Sequence, residues 1–92
     1  MILSFADKDT ELLAGHIRVQ RFESIERIAL RKIVQLDAAK SLMDLAIPPG
    51  NQLKRLVGNR TGQYSIRIND QYRLCFVWSG VGAERVEITD YH

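Results

Sequence analysis

Tyr64-Ser65-Ile66-Arg67-Ile68-Asn69-Asp70-Gln71-Tyr72-Arg73-Leu74-Cys75-Phe76-Val77-Trp78 is the stretch that decides the fold. Tyr64, Ile66 and Ile68 alternate with Ser65, Arg67 and Asn69, and Leu74, Phe76 and Trp78 alternate with Arg73, Cys75 and Val77. Successive side chains of a strand change face at every residue, so this period of two predicts two strands. Asn69-Asp70 between them supplies turn residues, and the pair reads as a hairpin. Beyond Ser79-Gly80-Val81-Gly82 a further run alternates, with Val86 and Ile88 on one side and Glu87, Thr89 and Tyr91 on the other. Lys54 and Arg55 fall in a strand ahead of the turn residues Gly58-Asn59 and Thr61-Gly62. The second half is thus expected to be a mainly antiparallel sheet of successive hairpins.

Upstream of this sheet the pattern is helical. Met1 to Phe5 is a short apolar run suited to a strand, and Asp7 stands as an N-cap for a short helix ended by Gly15. From Ser24 to Met43 the residues Ile25, Ile28, Ala29, Ile33, Leu36, Ala39 and Leu42 keep three- and four-residue spacing, which predicts an amphipathic helix. Pro48-Pro49-Gly50 forbids its continuation. The expected fold class is α+β, with N-terminal helices packed on one face of a small sheet. Ile66, Ile68, Leu74, Phe76, Val86 and Ile88 would then face the helices, leaving Arg67, Arg73 and Tyr91 on the opposite face.

Ninety-two residues with 46% hydrophobic and 26% charged content suit one domain over 1–92. One cysteine, Cys75, excludes an internal disulfide, and no signal peptide or spanning apolar run is evident, so a cytoplasmic protein is expected. The net charge of +2 hides an uneven distribution. Between Asn51 and Cys75 five cations (Lys54, Arg55, Arg60, Arg67, Arg73) face one acid, Asp70, while the first fifty residues balance at seven against seven. A local cationic surface suits a phosphodiester partner.

Metal-free ribonuclease chemistry needs a group to activate the ribose 2′-hydroxyl, a cation for the phosphorane, an acid for the leaving oxygen, and stacking to align the attack. Arg73 suits the charge-stabilising role, because a guanidinium stays protonated and grips two phosphate oxygens; the plainer role is an ion pair with Asp70 or Asp90. His92 could act as an acid, since an imidazole titrates near neutrality, and is otherwise a terminal residue. Tyr91 offers a ring for a base and a hydroxyl for a phosphate, or simple packing. Lys54 and Arg55 could supply a base or phosphate contacts, and only one of them shares the active face. Gly58-Asn59-Arg60-Thr61-Gly62 lacks the ending of a P-loop and reads as a hairpin loop from which Arg60 reaches backbone phosphates. His16 reads as a helix-end residue, Cys75 as a buried thiol, and Phe22, Phe76 and Trp78 as core. No metal-ligand spacing or cofactor motif is present.

Pro48-Pro49-Gly50-Asn51, Leu53, Leu56, Gly58-Asn59-Arg60, the run Gly62 to Arg73, Phe76 and the ending Asp90-Tyr91-His92 together resemble the HigB toxins of the RelE/ParE superfamily. The resemblance extends from Ile2 to His92. It implies a toxin of a type II toxin–antitoxin pair with a microbial-ribonuclease-like fold, which enters the ribosomal A site and cleaves mRNA there without a metal. Under it Arg73 stabilises the transition state, Tyr91 orients the nucleotide, and His92 assists proton transfer. Arg55, Arg60 and Arg67 contact RNA. It also implies a HigA-like antitoxin with a helix-turn-helix domain, through which alone operator DNA is bound. Some relatives carry His at the position of Lys54 and Lys at that of Val57, so the general base is left unassigned. Two rival readings are a toxin that poisons DNA gyrase by binding and a non-toxic RNA-binding module.

Overall fold

The computed structural model describes residues 1–90; Tyr91 and His92 lie outside the described residues. Two α-helices, α1 (Lys8–Ala14) and α2 (Glu26–Ala38), precede four strands, β1 (Lys54–Arg55), β2 (Tyr64–Arg67), β3 (Tyr72–Trp78) and β4 (Ala83–Asp90). The strands form an antiparallel meander in the order β1-β2-β3-β4. The expected α+β class is therefore what the chain adopts, and the expected hairpins are its sheet.

The inner face of the sheet carries the core. Ile66, Leu74, Phe76 and Val86 are fully buried and Ile68 and Ile88 nearly so, against Phe22, Ile25, Ala29, Ile33 and Leu36 from the helical half. Burying a Leu, Ile or Phe side chain is worth about 1.5–3 kcal/mol, so this face holds the sheet to the helices. Ile28, placed by its spacing on the apolar stripe of α2, is instead exposed.

Local chemistry sets the turns. Asn69 Oδ1 accepts the amide protons of Gln71 (2.9 Å) and Tyr72 (2.7 Å), which closes the β2–β3 turn around one side chain. At the next turn Ser79 and Gly82 are joined by a backbone hydrogen bond of 3.0 Å.

Three expectations are corrected. The helix expected over Ser24 to Met43 occupies only Glu26–Ala38, with 3-10 turns on both sides at Gln20–Ile25 and Leu42–Ala46. It stops because the Asp44 carboxylate accepts the amide protons of Lys40 (2.9 Å) and Ser41 (3.1 Å), opening a separate turn. Asp7 occupies the N-cap position of α1, yet its carboxylate pairs with Arg21 at 3.0 Å rather than capping amides. The strand expected over Met1 to Phe5 is reduced to two parallel bridges, Ile2 to Ala83 and Phe5 to Val86. Its ladder is interrupted because β4 carries an extra residue: Cys75 stands opposite Glu87 but Val77 opposite Glu84, and Arg85 takes a left-handed φ of 53°.

Candidate functional site

On the outer face of the sheet, register brings together residues distant in sequence. Arg67 of β2 stands opposite Arg73 of β3, which stands opposite Thr89 of β4; one row along, Lys54, Ser65, Cys75 and Glu87 follow one another across the four strands. Gln52, Lys54, Arg67, Asn69, Asp70 and Arg73 line a cavity of about 380 Å³ at one end of these rows. Three cations of the basic segment thus converge on a space large enough for a nucleotide.

Arg73 is the centre of the site and is buried, with 6% of its surface exposed. Its Nε donates to Ser65 Oγ at 2.7 Å, and Nη2 donates to the Gln52 carbonyl at 2.5 Å and more weakly to the Ser65 carbonyl at 3.4 Å. A planar group held at Nε and at Nη2 has its plane defined. The expected outward face is thus correct for Arg73, but the side chain lies within the sheet surface rather than above it. Asp70, one of the two acids considered for Arg73, takes the guanidinium of Arg67 instead.

The remaining candidates separate. Lys54 is exposed at the cavity wall, and its register opposite Ser65 places it on the face of Arg73. Arg55 stands opposite Tyr64, whose ring stacks on the buried Phe76, and it does not line the cavity. Of the two, Lys54 is the one on the site's face. Arg60 differs from the expected loop-tip cation: it is half-buried in a 3-10 turn, and its Nη1 donates to Glu87 Oε1 at 2.7 Å and to Gln63 Oε1 at 3.1 Å. Tyr91 and His92 lie outside the described residues, two positions and three positions beyond Thr89.

His16 follows α1 with a left-handed φ of 65°, the helix-end position expected for it. Cys75 is fully buried, and burial pushes its thiol pKa up. A neutral thiol without thiolate character fits the inert role expected of it. Among the described residues no group of three His, Cys, Asp or Glu side chains is arranged to hold a metal ion.

Ser65, Gln52 and Asn69 belong to this site and were not singled out by sequence reasoning. Ser65 carried a signal, since it alternates with Ile66 on the face shared with Arg67. Gln52 carried none, because it contributes a backbone carbonyl.

A family model described as the RelE-like toxin of type II toxin–antitoxin system HigB matches residues 4–92. The chain belongs to the HigB-like toxin family. It is 46% identical over 80 residues to Toxin HigB-1 of Vibrio cholerae serotype O1, covering 85% of this chain and 84% of that protein. It is also 36% identical over 53 residues to an uncharacterized protein of Haemophilus influenzae, covering 58% of this chain and 52% of that protein. Among solved structures it resembles that of the YoeB dimer from Staphylococcus aureus, with a TM-score of 0.57 at 22% identity over 99% of this chain and 94% of that one, a likeness of fold. As the toxin of a type II pair, this HigB-family chain has an antitoxin for its partner. No helix among its described residues is long and apolar enough to cross a membrane.

Proposed function

We propose that this toxin is a ribosome-dependent mRNA endoribonuclease that cuts by attack of the ribose 2′-oxygen, with no metal. The observation that supports this reading is the convergence of Lys54, Arg67 and the buried, doubly anchored Arg73 on one nucleotide-sized cavity. In the reaction the 2′-oxygen bonds to phosphorus as the bond from phosphorus to the 5′-oxygen breaks, leaving a 2′,3′-cyclic phosphate and a 5′-hydroxyl. The 2′-proton leaves to a base, and the 5′-oxygen takes a proton from an acid. Negative charge rises on the non-bridging oxygens, where a preorganised guanidinium does not have to reorient.

Arg73 is assigned that stabilising role. Lys54, as an exposed ammonium, holds phosphate, with the base left unassigned. Tyr91 orients the nucleotide and His92 supplies the leaving-group proton, as in the family resemblance. Arg67, released from its exposed partner Asp70, contacts backbone phosphate, and Arg55 faces ribosomal RNA around the site, whereas Arg60 stays paired with Glu87. The toxin acts in the cytoplasm on translating ribosomes. Its antitoxin is a HigA-like helix-turn-helix protein that alone reads operator DNA.

Induction in growing cells with mapping of messenger 5′ ends tests this reading. Growth arrest with in-frame cuts that vanish in Arg73→Ala supports it. Arrest with intact messengers and broken DNA makes the protein a gyrase poison, and no arrest makes it an RNA-binding module.

A further inference from the structure

Arg73 is held in place by a polar chain that begins on α2. Asn51 ends the 3-10 turn Pro49–Asn51 and is fully buried. Its Oδ1 accepts a proton from Lys32 Nζ at 2.5 Å, its Nδ2 donates to the Leu45 carbonyl at 3.1 Å, and its backbone N–H donates to the Pro48 carbonyl at 2.9 Å. A buried amide satisfied at both ends has one orientation. The next residue, Gln52, takes a left-handed conformation with φ 46° and ψ 56°, which a side chain of its kind adopts only when its surroundings impose it. That conformation aims the Gln52 carbonyl at Arg73 Nη2.

Lys32 is not placed here for cheap solvation. Burial, with the nearby charges of Arg31 and then Arg67, pulls its pKa below the usual lysine value. A cation kept near other cations, on a helix whose neighbouring residue Ile33 is core, has a specific partner in Asn51 to account for it.

We propose that Lys32 and Asn51 are positioning residues for Arg73: through the Gln52 carbonyl they fix the guanidinium in the plane in which it meets the phosphate. The catalytic consequence rests on the nuclease reading above, whereas the orientation is a property of the free toxin. The two are separated by reading each directly.

The Arg73 Nη2–H resonance in proton–nitrogen NMR spectra reports the orientation, since Nη2 is the group that donates to the Gln52 carbonyl. In Lys32→Met its exchange with water is expected to quicken at least about tenfold, as local order at the anchor is lost. Cleavage of ribosome-bound messenger by the same variant is expected to lose roughly ten- to a hundredfold in kcat with KM held within about twofold, and Lys32→Arg to recover part of it. Asn51→Ala should behave alike; Lys32 is only half-buried, so Lys32→Met alone carries the test where the buried Asn51 position does not fold. Gln52→Gly, which adopts the left-handed conformation freely and keeps the carbonyl, is expected to leave the resonance unchanged. An Arg73 resonance with unaltered shift and exchange in Lys32→Met overturns the proposal, as does altered exchange with unaltered kcat. If the wild-type toxin cleaves nothing while the resonance responds, the nuclease reading fails and the positioning of Arg73 stands.

Discussion

A guanidinium with 6% of its surface exposed bears a desolvation cost that only close partners offset, and Arg73 has them in Ser65 Oγ and the Gln52 carbonyl. Ser65→Ala removes the acceptor on Nε and leaves a buried charged donor without it. The expected loss is about 1.5–3 kcal/mol of folding stability, seen as a lower midpoint in urea unfolding at unchanged slope, with cleavage slowed as well. An unchanged midpoint would mean that water or another acceptor replaces the hydroxyl. Alternation along β3 was enough to put Arg73 on the outer face, since face depends on parity alone. Its burial was not legible, because the carbonyl that covers it comes from Gln52, 21 residues earlier, and a backbone oxygen has no signature in sequence. The pairing of Arg60 was not legible for the same kind of reason: its carboxylate partner Glu87 is 27 residues away and meets it only once the sheet has formed.

At the level of elements, the end of α2 shows local chemistry overriding periodicity. Ala39 and Leu42 continue the apolar spacing of the helix, yet Ala39 is extended at φ −67°, ψ 132°, because Ser41 and Asp44 start a new turn there. The Ser-x-x-acid pattern was present in the sequence and was the available stop signal. Amide protons from Lys40 and then Ser41 hold the Asp44 carboxyl pKa below its ordinary value. A depressed folded-state pKa means a stabilising contribution that is fully present above the unfolded value near 3.8 and lost as pH falls through the folded one. Asp44→Ala is therefore expected to melt below wild type at neutral pH, with the gap closing as the solution is acidified past pH 3.8. A gap independent of pH, followed by thermal melts at several pH values, would assign the effect to packing. The sheet half was more legible than this turn because parity repeats over many residues, whereas a helix end is decided by one carboxylate.

Across the whole molecule the helices cover one face of the sheet and leave the other to charge, so three of the five cations of residues 51–75, Lys54, Arg67 and Arg73, gather on the side away from the core. Composition showed the cationic excess, but not which cations are available to a phosphate. The folded geometry sorts them: Lys54 and Arg67 line the cavity with Arg73, whereas Arg60 lies against Glu87, where its charge is locally neutralised. Each phosphate contact on a single strand releases counterions and adds about 0.7 to the slope of log affinity against log salt. Binding of a 2′-deoxy oligonucleotide, which cannot supply the attacking hydroxyl, measures this without cleavage. Lys54→Ala and Arg67→Ala are each expected to flatten the slope by about 0.7, and Arg60→Ala to leave it unchanged. Should Arg60→Ala flatten the slope as much as Lys54→Ala, the ion pair with Glu87 opens on binding and the loop contributes to the RNA surface after all. The three slopes together thus measure whether the cations that grip RNA are those the sheet register gathers around Arg73.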